Sequence, residues 1–169
     1  MPPPGPLRFA RVDSPLGPMW VAETDDGVAA CSRADAPDPF LAALRRRFPG
    51  VEPVADDVDA SWLGGAPPTL DVTGLSPFDA RVYLVVRDIP PGETLTYGEV
   101  AALIGSPGAA RAVGGAMSRC PLFPAVPCHR VVRAADGWSG WGGDVALKRK
   151  LLKAERQRRV PLGVGQIPL

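Results

Sequence analysis

A cysteine, a histidine and an arginine stand side by side in Pro127-Cys128-His129-Arg130-Val131-Val132, and His129 is the single histidine of the chain. A thiol becomes a strong nucleophile as the thiolate, and a neighbouring imidazole or guanidinium favours that form. Pro127 stiffens the approach, and Val131 and Val132 read as a strand or buried segment that anchors the loop. Neighbours in sequence point in different directions, so adjacency alone also fits a buried structural cysteine beside a surface histidine. Cys31 and Cys120 complete an odd set of three with no CxxC spacing. With one histidine to join them, a zinc site lacks ligands. Free thiols in a reducing cytoplasm are the simplest expectation.

These residues must be positioned by a chain of 169 residues, long enough for one domain or two small ones with a real core. The residue patterns predict an α/β (α+β) fold in two parts. Residues 1–70 read as a small antiparallel sheet with a helix, followed by an acidic and then Gly/Pro-rich linker from 51. Leu7–Val12, Met19–Thr24 and Val28–Ser32 are the strand runs, with a turn at Ser14-Pro15-Leu16-Gly17-Pro18 and a tight one at Asp25-Asp26-Gly27. Asp38 is placed to cap a helix with Pro39 in its first position, ending near Phe48 before Pro49-Gly50. This half contains no constellation of polar groups suited to chemistry. It carries 6 Lys and Arg against 10 Asp and Glu, whereas residues 71–169 carry 13 against 8. An acidic half joined to a basic half points to a polyanion meeting the second alone. No apolar run approaches the roughly 18 residues of a membrane span, and Met1-Pro2-Pro3-Pro4-Gly5-Pro6 lacks the basic start of a signal peptide.

Residues 71–169 read as short helices of a winged helix-turn-helix-like domain. Ser76-Pro77 opens one reaching Ile89, with Phe78, Val82, Val85 and Ile89 on one face. Thr96-Tyr97-Gly98-Glu99 fits a capping box, so a helix runs from there to about Ile104. Gly105-Ser106-Pro107 is a turn and a new cap, and Gly108–Met117 is a second helix, which together make a helix-turn-helix. That second helix presents small residues at Gly108, Ala109, Ala110, Ala112, Gly114, Gly115 and Ala116. Its internal glycines cost roughly 1 kcal/mol each relative to alanine. Either the helix packs closely inside the protein, or it is a thin probe for a nucleic-acid groove with Arg111 projecting. A last helix runs from Asp144 to about Glu155, with Val145, Leu147, Leu151 and Leu152 on one face. Lys148, Arg149, Lys150 and Lys153 form the other, a solvated face also suited to phosphate contacts.

From Asp71 to Glu155 the chain resembles the O6-alkylguanine-DNA alkyltransferase (methylated-DNA–protein-cysteine S-methyltransferase) family. The resemblance runs through Pro90-Pro91-Gly92-Glu93-Thr94 with Tyr97-Gly98-Glu99-Val100-Ala101, Ala110-Arg111-Ala112-Val113-Gly114, the Pro-Cys-His-Arg motif, and Lys148 with Leu151-Leu152 and Glu155. It implies direct reversal of DNA damage on double-stranded DNA carrying O6-alkylguanine, and possible reach to O4-alkylthymine. The helix-turn-helix would enter the minor groove, with Ala110 and Gly114 allowing close approach and Arg111 filling the space of an extruded nucleotide. Tyr97 would help rotate that nucleotide and donate a hydrogen bond to the departing guanine. Cys128 would take the alkyl group by direct displacement, with His129 acting as base through a water and Glu155 orienting His129. Main-chain groups of Val131 and Gly142 would read the guanine edge, Trp141 would wall the alkyl pocket, and Lys148 would support the site loop. The protein would act once, as a monomer, with no cofactor, no metal and no membrane.

Three departures accompany the resemblance. Cys120 stands where the family has an Asn that ties the recognition helix to the active-site strand. A thiol there hydrogen-bonds weakly and, given suitable geometry, could oxidise against Cys128. Trp141-Gly142-Gly143-Asp144 replaces a Tyr-Ser/Ala-Gly-Gly stretch, which implies a changed preference between methyl and bulkier alkyl groups, with Asp144 capping the last helix. Asp79 and Tyr83 replace Gln and Trp as packing changes. Three other classes compete with alkyl transfer. A damage-recognition module without chemistry would lack the cysteine, and a transcription regulator would present long polar side chains to the major groove. A thiol hydrolase would draw its Cys and His from distant positions.

Overall fold

The computed structural model describes residues 5–137 and 144–157, and its contacts divide into two compact units. One comprises residues up to Ser76 together with Pro121–Ala125, and the other Pro77–Cys120 with the remainder from Val126.

The first unit is a four-stranded sheet carrying one helix. β1 (Arg8–Val12), β2 (Met19–Thr24) and β3 (Gly27–Ser32) form an antiparallel meander, with Arg8 opposite Glu23 and Trp20 opposite Ser32. Gly27 closes the β2–β3 turn at φ +133°, where a Cβ would lie 2.4 Å from the Thr69 carbonyl oxygen, so only glycine fits. α1 (Asp38–Arg47) buries Phe40 and Leu44 into a core with Leu7, Ala22, Ala29, Ala30 and Phe48. The Arg47 guanidinium fastens the end of α1 by donating to the carbonyls of Ala29, Asp71 and Thr73. The helix start differs from expectation: Pro37 occupies the cap position without a side-chain bond, and Asp38 lies within the first turn. There its carboxylate meets the positive end of the helix dipole instead of one amide. Residues 51–70 are also more than a linker. β4 (Val54–Ala55) pairs parallel with β1, giving the order β3-β2-β1-β4, and Leu70 bridges Val28. A two-residue strand among acidic and Pro residues leaves too short a period to read from sequence.

The second unit contains the helices. α2 (Pro77–Arg87) buries Asp79, Val82, Tyr83 and Val86, so its inward face is turned from the expected stripe, and Phe78 and Val85 are only half-buried. The reason is that Asp79 and Tyr83 have polar partners on α4, the Arg119 guanidinium and the Ala116 carbonyl. β5 (Leu95–Thr96) leads into α3 (Tyr97–Leu103), whose capping box is complete: Thr96 Oγ1 accepts from the Glu99 amide, and Glu99 Oε2 accepts from the Thr96 amide at 2.7 Å. α4 (Ala110–Ser118) follows and packs on α3 as the second helix of a helix-turn-helix. It starts two residues later than expected, capped by Ala109 without a side-chain bond. Ser106 belongs to the turn, and Ala116 is buried, not exposed. A 3-10 turn at Cys128–Arg130 runs into β6 (Val131–Val132), which pairs parallel with β5. α5 (Val145–Gln157) ends the described chain, and Asp144 caps it as expected, its Oδ1 accepting from the Leu147 amide at 2.9 Å. Among the described residues no helix is long and apolar enough to cross a membrane.

Candidate active site

Cys128 opens the 3-10 turn at the entrance to β6 and is 1% exposed. The neighbouring Cys120 thiol and burial together push the Cys128 pKa well above the ordinary thiol value. The Lys148 ammonium pulls it part of the way back. The expectation that His129 and Arg130 supply the thiolate-favouring charge is therefore corrected, because both side chains turn to Glu155.

Glu155, on the buried face of α5, is a hub for four donors. His129 Nε2 lies 2.8 Å from Oε1; Arg130 reaches the carboxylate through Nε and Nη2, the latter at 2.8 Å; and the Gly92 amide donates to Oε2 at 3.4 Å. Arg130 Nη1 also donates to the Ile89 carbonyl at 2.7 Å, so the guanidinium joins the end of α2 to α5. Burial alone would raise the Glu155 pKa, but hydrogen bonds from His129 and Arg130 outweigh it and hold the carboxyl at about 2. Burial lowers the His129 pKa despite the opposing pull of Glu155. A neutral imidazole against an ionised carboxylate must carry its proton on the nitrogen facing that carboxylate. Nε2 is thus the donor and Nδ1 the acceptor, the tautomer a general base requires.

Lys148 departs from the solvated face that helical spacing gave it. It is fully buried, not part of a solvated lysine face, and its Nζ donates to the Val131 carbonyl at 2.7 Å. Burial lowers its pKa to about 8. An ammonium here fixes the strand that follows Cys128 and adds positive potential at the sulfur.

The helix-turn-helix residues fall into two groups. Arg111 and Ala112 are exposed on α4, and Ala110 is half-buried at its first position. Tyr97 is the first residue of α3 and half-buried, and a Cβ on Gly114 would sit 3.8 Å from its ring. The far end of α4 is clamped to α2. Asp79 takes a two-pronged ion pair from Arg119 at 2.7 and 2.9 Å, and Tyr83 Oη donates to the Ala116 carbonyl at 2.9 Å. Asp79 and Tyr83 are one helical turn apart on α2, so a single face holds both grips. The Asp79–Arg119 grip, the Arg130 fork on Glu155 and the Gly92 amide were not legible in the sequence, since each joins residues at least 25 positions apart. Trp141 and Gly142 lie outside the described residues.

A thiol at the mouth of a short strand, a neutral histidine oriented by a buried carboxylate, and a small-residue helix-turn-helix in one unit together define a DNA-acting thiol protein. Residues 77–157 match the family model described as 6-O-methylguanine DNA methyltransferase, DNA binding domain. The chain belongs to the methylated-DNA–protein-cysteine methyltransferase family. It is 35% identical over 162 residues to the methylated-DNA–protein-cysteine methyltransferase of Mycobacterium tuberculosis, covering 90% of this chain and 94% of that one. The Salmonella typhimurium protein of the same name is 34% identical, over 88% of this chain and 95% of its own. The crystal structure of M. tuberculosis OGT in complex with DNA superposes with a TM-score of 0.57 at 31% identity, covering 89% and 94% of the two chains. The O6-methylguanine-DNA methyltransferase of Pyrococcus kodakaraensis gives 0.60 at 25% identity, covering 88% and 98%.

Proposed function

We propose that the protein reverses DNA alkylation by moving the alkyl group from O6 of guanine onto its own Cys128. The observation that carries this reading is a buried Cys128 sharing one unit with the His129–Glu155–Arg130 network and the α3–α4 helix pair. The substrate is double-stranded DNA, entered from the minor groove by α4. Ala110, Ala112 and Gly114 let the backbone approach, and Arg111 occupies the gap left by the extruded nucleotide. Extrusion costs roughly a few kcal/mol, least at a poorly paired lesion.

The chemistry is one displacement. His129 Nδ1 takes the Cys128 proton through a water, and Glu155 stabilises the imidazolium that forms. Sulfur attacks the alkyl carbon, the carbon–oxygen bond breaks, and guanine leaves as its anion while the Tyr97 hydroxyl donates to it. The Val131 carbonyl, oriented by Lys148, reads the guanine edge together with Gly142, and Trp141 walls the alkyl pocket. Lys148 counters the thiolate charge. The product is a thioether, so each molecule acts once, as a monomer in the cytoplasm and with no cofactor.

Intact-mass measurement after incubation with a duplex holding one O6-methylguanine tests this. A gain of one methylene equivalent, mapped by peptide digestion to Cys128, is expected. Tight lesion binding with an unchanged mass would replace the proposal with a recognition module that performs no chemistry.

Gly114 separates stability from transfer. A methyl at this position would make ordinary contact with the Tyr97 ring, so Gly114→Ala is expected to stabilise α4 by about 0.5–1 kcal/mol. The same methyl intrudes where α4 approaches DNA, at an overpacking cost of about 1–3 kcal/mol. Urea denaturation should therefore show a more stable protein, and single-turnover kinetics a transfer rate from duplex DNA about tenfold lower or worse. Unchanged duplex kinetics would remove Gly114 from the interface.

A further inference from the structure

α4 carries its exposed probe at one end and its attachments at the other. Arg111 stands in the first turn, behind an Ala109 cap that makes no side-chain bond. About 12 Å further along the axis, Arg119 forks onto Asp79, with Nη2 2.7 Å from Oδ1 and Nε 2.9 Å from Oδ2. Tyr83, one turn on along α2, donates to the Ala116 carbonyl at 2.9 Å. The Ser118 hydroxyl and the Cys120 amide take the Gly115 and Met117 carbonyls on either side of it. We propose that these two grips on α2 are the anchor against which α4 levers when it extrudes a base, so that Asp79, Tyr83 and Arg119 are positioning residues for transfer from duplex DNA.

Extruding a base from the stack costs energy, and the helix that does it must not yield. The apolar packing of Val113, Ala116 and Met117 is non-directional and lets a helix slide or roll. A two-pronged ion pair fixes angle as well as distance, and a second bond one turn away removes the rotation left about the first. The helix is also built to admit the pair. A Cβ on Gly115 would lie 2.9 Å from Arg119 Nη1, so this glycine leaves the corridor by which the guanidinium crosses to α2. The Asp79 side chain is 12% exposed and that of Arg119 56%, so the carboxylate is the fixed post and the arginine the strap. The nucleophile is held by other means. The Cys128 turn is tied through β6 to β5 and through His129 and Arg130 to Glu155, and neither tie uses the clamp. Loss of the clamp should therefore disturb the handling of DNA and spare the sulfur. That split rests on Arg111 filling the gap of the extruded nucleotide, as proposed above.

The test compares the full chain with Asp79→Asn, Arg119→Gln and the double variant, each checked for folding by urea denaturation. Tyr83→Phe, which keeps the ring and loses one bond, is held to the same limits and serves if an Asp79 or Arg119 variant does not fold. Single-turnover transfer is measured from O6-methylguanine paired in a duplex and from the same oligonucleotide single-stranded, where no pair has to be parted. Extrusion is followed separately by the fluorescence of 2-aminopurine placed beside the lesion, which brightens when its stacking neighbour leaves. Each single variant should transfer about tenfold more slowly from the duplex and within about twofold of wild type from the single strand, with a smaller fluorescence rise. The double variant should be no slower than either single one, because the same ion pair is lost in all three. An equal loss on both substrates, single effects that multiply in the double variant, or unchanged duplex transfer with unchanged fluorescence would each overturn the proposal. If wild type transfers no methyl from either DNA while its fluorescence rise is reduced in the variants, the alkyl-transfer reading fails and the anchor stands.

Discussion

Cys128→Ala will fold, bind a duplex containing O6-methylguanine and transfer nothing. The residue is almost fully buried and a thiol is only a weak donor and acceptor, so removing one sulfur leaves a small cavity and no stranded strong donor. Large-to-small changes of this size cost about 1 kcal/mol, well within the stability of an ordinary domain. The chemical effect is of another order. Deletion of a covalent nucleophile costs on the order of a million-fold. The check pairs a gel-shift titration with intact mass: affinity within about threefold of wild type and no mass gain after overnight incubation. A methyl found on Cys120 of this variant would show that the neighbouring thiol, not Cys128, has access to the alkyl carbon.

Glu155→Ala is expected to destabilise the protein by about 3–5 kcal/mol, because it leaves the Arg130 guanidinium without its counter-charge and the buried His129 Nε2–H without an acceptor. Glu155→Gln keeps the shape and should recover part of the stability, while lowering the transfer rate through loss of the charge that supports the imidazolium. The acid limb of wild-type stability follows from the same two residues. Glu155 is held at about 2, below its ordinary 4.5, so its contribution is fully present above pH 4.5 and disappears as pH falls toward 2. His129 is lowered from 6.5, so the unfolded chain binds its proton first, and stability begins to fall below pH 6.5. Urea midpoints taken between pH 7 and pH 3 should thus decline in two stages. A flat profile from pH 7 to pH 5 would show that His129 does not titrate differently on folding, and no further fall between pH 4.5 and pH 3 would show the same of Glu155.

Which parts of this molecule are legible in the chain depends on how far their causes reach. The α3 cap is local: Thr96 and Glu99 satisfy each other within four residues, and the structure shows the pattern intact. The three meander strands have the same bounds as the apolar runs, within a residue, because alternation and the Asp-Gly turn act over short distances. The face of α2 was misread because periodicity counts apolar residues, and here a buried carboxylate and a buried phenol turn the helix by their attachments to Arg119 and Ala116. The solvated face that spacing gave Lys148 was misread for a related reason. A lysine among lysines and arginines looks solvated until a strand carbonyl, 17 residues earlier, is found to need its donor. His129 with Glu155 followed from the resemblance, while the role of Arg130 followed from neither spacing nor resemblance.

The Glu155 hub also sets a timetable. Its donors come from the Gly92 turn and the Cys128–Arg130 turn, while the acceptor arrives 25 residues after Arg130 on α5. A chain still being synthesised, with α5 inside the ribosome, already has the α3–α4 pair outside but no anion to receive Arg130 or to fix the His129 tautomer. Groove-reading parts therefore precede reactive parts, and a nascent chain carries a thiol that has yet to be armed. Single-use chemistry makes that order valuable, since a sulfur consumed before the last helix docks is lost to the finished molecule.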